Sequence, residues 1–251
     1  MSENISDGKG KLYLIPTPIH PTALEALPEA VKLLTLTLRH FIVESQREAR
    51  RFLFSLHKNY PQHPWDFNQI ELHRLNWKNS PSISFLQSLL APTLQGHSIG
   101  LLSDCGAPTI ADPGSSLVNI AHQMEIPVIP LVGPSALVLA LMASGLNGQS
   151  FQFHGYLPTS SEARKKKILL LEKLIQQSGQ TQIFIETPYR NQILFTELLK
   201  YCSPSLLLCI AVDLHGETET IRTLPIEHWR KKTPELHKKP TTFLLGISPI
   251  K

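Results

Sequence analysis

Three turns of this chain place polar residues directly after an apolar, strand-like run. The first turn, 103–114, contains Asp104 and Gly106; the second is 132–136 and the third is 185–190. Ligands of open α/β sheets bind just beyond the carboxyl ends of the strands, where a carboxylate can accept hydrogen bonds and glycine permits close approach to the backbone. We therefore predict that the three turns contribute to one composite ligand site.

Motifs for phosphate binding and zinc proteolysis do not occur. The sequence has no G-x-G-x-x-G after its first strand-like run, no G-x-x-x-x-G-K-[ST] and no H-E-x-x-H. A phosphate chain normally needs one of the first two, because backbone N–H groups must bind its charge. The eleven histidines lack an evident metal-ligand spacing, so we predict no metal site. The turns suit a ligand with ribose, adenine and an amino acid but no phosphate.

Length and composition indicate a soluble globular protein of one large or two modest domains. The 251 residues are 42% hydrophobic and 18% charged, which is ordinary for such proteins. A net charge of +4 permits an anionic partner such as RNA without requiring one. Cys105, Cys202 and Cys209 form no C-x-x-C pair, which predicts reduced thiols in the cytoplasm. The polar segment 1–11 does not resemble a signal peptide.

One uncharged stretch, 126–146, is long enough to span a bilayer. Proline and glycine interrupt it at Pro127, Pro130, Gly133 and Pro134. A strand over 128–132 followed by a helix over 135–143 explains these interruptions better than a membrane helix does. We therefore expect no membrane partner.

The order of apolar runs predicts two α/β domains. The first, 1–133, has a mostly parallel sheet, and the second, 134–251, has a mixed sheet. The predicted strands are 11–15, 41–43, 69–75, 98–103, 128–132, 150–156, 182–186, 206–212, 218–223 and 241–246, the last two antiparallel to 206–212. The predicted helices are 22–38, 46–56, 82–90, 115–124 (opened by Asp112 and Pro113), 135–143, 161–177 and one that starts at Thr187 and Pro188.

Six segments, in this order along the chain, resemble the tetrapyrrole methylase superfamily of S-adenosylmethionine-dependent methyltransferases. They are 12–19 (LYLIPTPI), 103–114 (SDCGAPTIADPG), 130–136 (PLVGPSA), 143–146 (ASGL), 153–158 (FHGYLP) and 185–190 (IETPYR). Within the superfamily, the chain is most similar to the ribosomal RNA small-subunit methyltransferase I group, which methylates the 2′-hydroxyl of a cytidine.

This resemblance implies a cleft between the two domains that binds S-adenosyl-L-methionine. The residues it implies for cofactor binding are Pro16, Asp104, Gly106, Ala107, Pro108, Ser135, Ala136, Glu186, Thr187 and Leu214, the last near the adenine. The superfamily also implies a homodimer. Asp104, Ser135 and the Glu186–Thr187 pair also have a structural interpretation, because each could simply cap a turn or a helix.

Three segments depart from the pattern of the group. Residues 20–22 (HPT) stand where a Gly-Asn-Leu turn is usual, and 44–47 (ESQR) stand where Glu-Asp-Thr-Arg is usual. Residues 212–216 (VDLHG) replace Arg-Glu-Leu-Thr-Lys. These differences concern the methyl acceptor more than the cofactor.

Direct in-line transfer of the methyl group would need orientation and exclusion of water, without a metal or covalent intermediate. A ribose hydroxyl acceptor would also need a base, for which we predict Glu44, with Asp213 and His215 as alternatives. For the RNA substrate we predict contacts from Arg47, Arg50 and Arg51, since guanidinium groups bind phosphate well. The last two could equally be a solvated helix face.

Three functions remain open at this point. The chain could be an RNA 2′-O-methyltransferase, whose binding to RNA would weaken with salt. It could instead methylate a tetrapyrrole or another small molecule in an enclosed pocket. It could also bind S-adenosylmethionine without transferring a methyl group. Salt-dependent RNA binding and methyl transfer distinguish the three, whereas fold alone does not.

Overall fold

A computed structural model describes residues 8–75 and 81–248 of the chain. The chain divides into two compact units, Met1–Ser135 and Ala136–Lys251. Each unit contains one five-stranded sheet. The α/β class predicted from the sequence is confirmed.

The amino-terminal unit is built on a parallel sheet. Its strands are β1 (Leu12–Ile15), β2 (His40–Val43), β3 (Glu71–Arg74), β4 (Ile99–Leu102) and β5 (Val128–Pro130), in the order β3-β2-β4-β1-β5. All four pairings between these strands are parallel. The carboxyl ends of the strands therefore lie along one edge of the sheet, where the sequence places the first ligand-binding turn.

Helices cover both faces of this sheet. They are α1 (Glu29–Thr35), α2 (Gln46–Asn59), α3 (Ile83–Leu94) and α4 (Ser115–Gln123). Successive strand residues point to opposite faces: Phe41 and Val43 pack with Leu53 and Leu56 of α2, whereas Ile42 packs with side chains of α3 and α4. The sheet is apolar on both faces because both are buried.

Two helix predictions in this unit are wrong. The stretch 22–38 is interrupted, with a short 3₁₀ helix at Leu24–Ala26 and α1 beginning only after Pro28, because proline cannot continue a helix. Asp112 does not cap α4, whose N-cap is Gly114 with φ of 141°. The Asp112 carboxylate instead accepts a hydrogen bond from the Ser103 hydroxyl, a closer partner than the helix.

The carboxy-terminal unit has a mixed sheet. Its strands are β6 (Phe151–Tyr156), β7 (Thr181–Ile185), β8 (Leu207–Val212), β9 (Thr220–Pro225) and β10 (Thr241–Gly246), in the order β6-β7-β10-β8-β9. β6 and β7 are parallel, and β10 is antiparallel to both β7 and β8. β9 is antiparallel to β8, so the predicted antiparallel pairing of the last two strands with β8 is confirmed.

Four helices belong to this unit: α5 (Ala136–Ser144), α6 (Ser161–Ser178), α7 (Asn191–Tyr201) and α8 (Ile226–Trp229). Ser160 caps α6, as its Oγ accepts the Ala163 N–H at 3.3 Å. The predicted helix start at Thr187 is wrong, because α7 begins at Asn191. The Thr187 N–H and the Arg190 side chain are bound by Glu186 instead.

The uncharged stretch 126–146 folds as predicted, into β5 and α5. Among the residues that the structure describes, no helix combines the length and the apolar character needed to cross a membrane.

Candidate functional site

Three neighbouring strands of the parallel sheet end at the same level. Ile15, Val43 and Leu102 are the last residues of β1, β2 and β4, and they are register partners across the sheet. The residues that follow each strand therefore meet at one edge. This arrangement brings Glu44 and the 103–108 segment to the same place in the amino-terminal unit.

Asp104 connects the turns after β4 and β2. Its Oδ1 accepts the Ser45 N–H at 3.1 Å. Ser45 is also the N-cap of α2, since its Oγ accepts the Glu48 N–H at 3.3 Å. One oxygen of Asp104 is used in this contact, which leaves the other to accept a hydrogen bond from a ligand.

The turn after β4 has an unusual backbone. Gly106 has φ of +77°, and Thr109 and Ala111 adopt positive φ values of 68° and 62°. Positive φ is uncommon for residues other than glycine and concentrates at ligand sites. A Cβ atom on Gly106 would lie 3.2 Å from the Pro134 carbonyl oxygen, so the first and second predicted turns contact each other.

The turn after β1 joins the same cluster. Thr17 and Gly106 form a small antiparallel bridge, with N···O distances of 3.0 and 3.2 Å. Gly133 packs so closely on the Pro16 ring that a side chain there would overlap it. Pro16 and Pro108 are buried, whereas Ala107 and Ser135 are partly exposed.

Carboxyl groups repel one another at this edge. Desolvation raises the pKa of Glu44 above its ordinary value of 4.5, and the charges of Asp104 and Asp112 raise it further, while Arg74 lowers it. Desolvation likewise raises the pKa of Asp104. A raised carboxyl pKa is a property of general bases and of functional sites.

A pocket of about 180 Å³ opens beside these groups. It is lined by Asp104 and Ser103, by the 17–24 segment and by one side of α2, including Arg51 and Phe52. The pocket therefore combines a carboxylate, a guanidinium and an aromatic ring, which suits a polar ring-containing ligand.

The three predicted RNA-binding arginines lie on α2 but differ in their partners. Arg47 contacts Glu48 at 3.0 Å, and Arg51 forms an ion pair with the same carboxylate. Arg50 is exposed, and no ion pair within 8–75 or 81–248 involves it. Glu48 therefore offsets the charges of Arg47 and Arg51. No carboxylate within 8–75 or 81–248 offsets the charge of Arg50.

Glu186 is the main polar group at the carboxyl end of β7. Its side chain is only 1% exposed. Its Oε1 accepts the Thr187 N–H at 2.6 Å and the Arg190 guanidinium at 2.7 and 3.0 Å. Its Oε2 is buried and makes no hydrogen bond to the described part of the chain. Buried acceptors are normally satisfied, so this oxygen is available to a ligand.

Leu214 borders an apolar pocket of about 330 Å³ in the carboxy-terminal unit. Leu139 and Met142 of α5 contribute to its walls. The neighbouring Asp213 accepts hydrogen bonds from the Thr218 N–H at 3.1 Å and the Thr218 hydroxyl at 2.6 Å. The Asp213 carboxylate thus stabilises its own loop, which makes it less available as a base than Glu44.

The predicted cofactor residues divide between the two units. Pro16, Asp104, Gly106, Ala107, Pro108 and Ser135 belong to the amino-terminal unit, and Ala136, Glu186, Thr187 and Leu214 to the carboxy-terminal one. Within the first unit the structure clusters the turns that contain Pro16, Asp104, Gly106 and Ser135.

Two features were missed by the sequence analysis. Glu71 and His73 are two residues apart, whereas His40 lies 31 residues before Glu71. The register of β2 and β3 makes the three residues adjacent in space. The segment 96–100 reads G-x-S-x-G, the pattern of a nucleophile elbow. It leads into a strand rather than from a strand into a helix, and Ser98 Oγ accepts the Lys11 N–H, so it is not an elbow.

Curated relatives identify the family. The chain is 32% identical to the ribosomal RNA small subunit methyltransferase I of Vibrio cholerae over 225 residues, which cover 90% of this chain and 72% of the relative. The identity is 33% with the Synechocystis protein of that name, over 90% of this chain and 76% of the relative. The chain belongs to the ribosomal RNA small subunit methyltransferase I family. Members of this family are methyltransferases, so the chain is an enzyme of that class.

The Escherichia coli O157:H7 member is 30% identical over 89% of this chain and 72% of its own length. No general family model matches the chain. These relatives confirm the resemblance seen in the six motifs, including the family that those motifs favour.

Two solved methyltransferase structures share the fold. The methyltransferase CobJ superposes with a TM-score of 0.60 at 15% identity, covering 95% of both chains. Uroporphyrin-III-C-methyltransferase from Thermus thermophilus gives 0.53 at 18% identity, over 94% of this chain and 92% of that one. At such identities the likeness establishes the fold alone, and it confirms the predicted tetrapyrrole methylase-like fold.

Proposed function

We propose that this methyltransferase transfers a methyl group from S-adenosyl-L-methionine to a ribose 2′-hydroxyl of small-subunit ribosomal RNA. The observation that carries the proposal is the convergence of Glu44 and Asp104 at one sheet edge, beside a pocket lined by Arg51 and Phe52. The family to which the chain belongs supports the RNA substrate.

We propose cofactor-binding residues in each of the two units. S-adenosyl-L-methionine, when bound, supplies an already activated methyl group on a sulfonium centre. The second oxygen of Asp104 and the unpaired Glu186 Oε2 would each accept a hydrogen bond from its polar groups. The apolar pocket beside Leu214 would hold its adenine ring. Ala136, at the start of α5, and Thr187 would contribute backbone contacts.

Glu44 would accept the proton of the ribose hydroxyl as the methyl group is transferred. Its raised pKa makes it a stronger base than an ordinary glutamate. The arginines of α2 would bind the phosphates that flank the target nucleotide.

The test is methylation of purified 30S subunits and of naked 16S RNA with S-adenosylmethionine carrying a labelled methyl group. We expect label in the ribose of one cytidine, located by nuclease digestion and mass spectrometry. Label in a tetrapyrrole but not in RNA would support the small-molecule alternative. Cofactor binding without transfer to either class of acceptor would instead indicate a binding protein.

Replacing Arg50 by alanine is expected to weaken RNA binding and its salt dependence. Removal of one arginine–phosphate interaction reduces the slope of log K against log salt by about 0.7 for single-stranded RNA. Arg50 has the largest expected effect of the three arginines because Glu48 offsets the charges of the other two. Filter binding at several salt concentrations measures the slope. The control is Lys173→Ala, at an exposed position on α6, which should leave the slope unchanged. Equal slopes for the wild type, Arg50→Ala and Lys173→Ala would contradict a role for Arg50 in RNA binding.

Replacing Asp112 by asparagine is expected to move the acid limb of the pH–rate profile to lower pH. The Asp112 charge raises the pKa of Glu44, and the base must be ionised to act, so activity falls as the pH drops through that pKa. Asparagine keeps an acceptor for the Ser103 hydroxyl but removes the charge, so Glu44 ionises at lower pH. Profiles of kcat/KM from pH 4 to 8 test this, with Asp66→Asn as the control; an unshifted limb would exclude Glu44 as the base.

We also propose that the enzyme is cytoplasmic and homodimeric. All three cysteines are free thiols, and a ribosomal substrate would place the enzyme in the cytoplasm. Helix α5 exposes the apolar side chains of Val138 and Met142, which association with a second copy would cover. Sedimentation velocity of the wild type and of Val138→Glu tests the dimer, since Val138 does not line the pocket beside Leu214. A wild-type monomer at micromolar concentration would contradict the proposal.

A further inference from the structure

A cluster of two imidazoles and one carboxylate lies at the amino-terminal end of β2 and β3. His40 and Glu71 are the first residues of these strands, and His73 is the third residue of β3. The candidate ligand site lies at the opposite, carboxyl ends of the strands. We propose that His40, Glu71 and His73 bind a divalent transition-metal ion of the zinc class.

The strand register explains why these side chains meet. In the parallel pairing, His40 is the partner of Glu71, and Ile42 is the partner of His73. Side chains two residues apart on a strand share a face of the sheet. All three groups therefore project from the face that also carries Ile42, and backbone hydrogen bonds fix their spacing.

Two of the three ligand-atom distances are close to those of a tetrahedral zinc site. His40 Nδ1 lies 3.3 Å from Glu71 Oε2, and His73 Nε2 lies 3.6 Å from the same oxygen. All three ligand atoms lie within 4.8 Å of one another. Zinc ligands lie about 2.0–2.1 Å from the metal, which separates neighbouring ligand atoms by roughly 3.3–3.4 Å in a tetrahedron. An ion would bind among the three atoms once side-chain rotation brings the two ring nitrogens to this spacing.

The two ring nitrogens face Glu71 without a hydrogen bond to it. His40 Nδ1 and His73 Nε2 are both buried atoms, and neither makes a hydrogen bond within the described ranges. Both face one carboxylate oxygen that is itself partly in solvent. Two imidazoles and a carboxylate form a donor set that zinc and its neighbours in the transition series bind well. A metal ion would satisfy both nitrogens at once.

A route for the ion and a place for a fourth ligand exist beside the cluster. A pocket of about 940 Å³ is lined by His40, Glu71 and His97. The rings of His40 and His97 are 5.6 Å apart. Water in this pocket could complete the tetrahedron, so the ion would join edge strand β3 to β2 without depending on the candidate active site.

Titration calorimetry with zinc chloride tests the proposal on the full-length protein after treatment with EDTA. We expect one ion per chain and affinity at least about tenfold weaker in His73→Ala and in Glu71→Gln. His73 and Glu71 are partly exposed, and the thermal midpoint of each variant in EDTA verifies folding. His122→Ala, at an exposed position on α4, is the matched control.

X-ray absorption of the zinc-loaded protein should show nitrogen and oxygen ligands, including two imidazoles. Zinc should also raise the thermal midpoint of the wild type but not that of His73→Ala, since an ion that binds only the folded state stabilises it. No binding by the wild type would overturn the proposal and leave the contacts of the two imidazoles with Glu71 as the explanation of the cluster. Equal weakening in His122→Ala and His73→Ala would overturn it as well, because it would indicate scattered surface binding.

Discussion

Arg164→Met is expected to lower the free energy of unfolding by about 3–5 kcal/mol, because it leaves a buried carboxylate without its counter-charge. The Arg164 and Glu197 side chains are only 6% and 13% exposed. Arg164 donates to both carboxylate oxygens of Glu197, at 2.5 and 2.8 Å, and to the carbonyls of Pro158 and Thr159. The pair holds the start of α6 against α7. Urea denaturation measures the loss.

The pH dependence of this effect has a definite sign. The hydrogen bond from Arg164 lowers the pKa of Glu197 below its ordinary 4.5, so the ion pair stabilises the fold above that pH and loses its effect as the pH falls below it. In the variant, burial without the guanidinium raises the Glu197 pKa, and protonation relieves the penalty. The difference in stability between the wild type and the variant should therefore shrink as the pH falls below 4.5.

Lys166→Met on the same helix is the control. Lys166 contacts Glu162 at 3.0 Å, but both side chains are highly exposed, so the change should stay below about 0.5 kcal/mol. Adding Glu197→Leu to Arg164→Met should recover part of the stability, because it removes the stranded charge. Equal losses at positions 164 and 166 would refute the buried ion pair.

Asp104→Asn is expected to raise the Kd for S-adenosylmethionine by about 10- to 100-fold, the effect of losing a hydrogen bond to a charged acceptor. Asparagine keeps an oxygen that can accept the Ser45 N–H, so the turn after β4 should retain its shape. Any loss of affinity for S-adenosylmethionine would then be due to the loss of the negative charge of Asp104. Calorimetric titration with S-adenosylmethionine and S-adenosylhomocysteine measures both constants.

Asp66→Asn provides the matched comparison for Asp104. Asp66 is an exposed aspartate of the same unit, and its Oδ1 accepts the Asn68 N–H at 2.9 Å. The Asp66→Asn variant should bind S-adenosylmethionine and S-adenosylhomocysteine as the wild type does. If Asp104→Asn also binds them normally, Asp104 is a capping residue of the turn and has no part in the cofactor site.

The sequence was a good guide to the candidate site where its residues follow buried strands. Asp104 and Glu44 could be placed at one edge because their strands are apolar, short and separated by helices, which predicts a parallel sheet. The contact between Asp104 and the Ser45 N–H could not be predicted, since it depends on the neighbouring position of β2 and β4. The strand order, which places β2 beside β4, cannot be deduced from the individual strand sequences.

Two of the wrong predictions share a physical cause. Asp112 and Thr187 both match helix-start patterns, but in each case a side chain outside the predicted helix binds the group that would have capped or begun it. The Ser103 hydroxyl donates a hydrogen bond to the Asp112 carboxylate, and the Glu186 carboxylate accepts one from the Thr187 N–H. In the sequence, Arg164 is followed by three lysines, a pattern typical of a solvated helix face. Only the contact of Arg164 with Glu197, 33 residues away, shows that it is buried. Local propensity is a weak guide where tertiary partners are available.

The departures from the family pattern have local structural consequences. Ser45 stands where the family usually has aspartate, and it keeps the cap of α2 while removing a negative charge beside Asp104. Gly216 stands in place of a lysine, and a side chain there would overlap the Asp213 carboxylate. The loop at 212–216 has therefore taken a form that the usual lysine would not fit without rearrangement.

The order β3-β2-β4-β1-β5 has a consequence for synthesis on the ribosome. β1 is made first, but both of its neighbours, β4 and β5, are made much later. Until Leu102 has emerged from the exit tunnel, β1 and the inner edge of β2 have no partner strand, and unpaired apolar edges promote aggregation. At ordinary translation rates, the 102 residues take on the order of 5–20 s to synthesise. A nascent chain that stalls before β4 would be a substrate for chaperones or proteases.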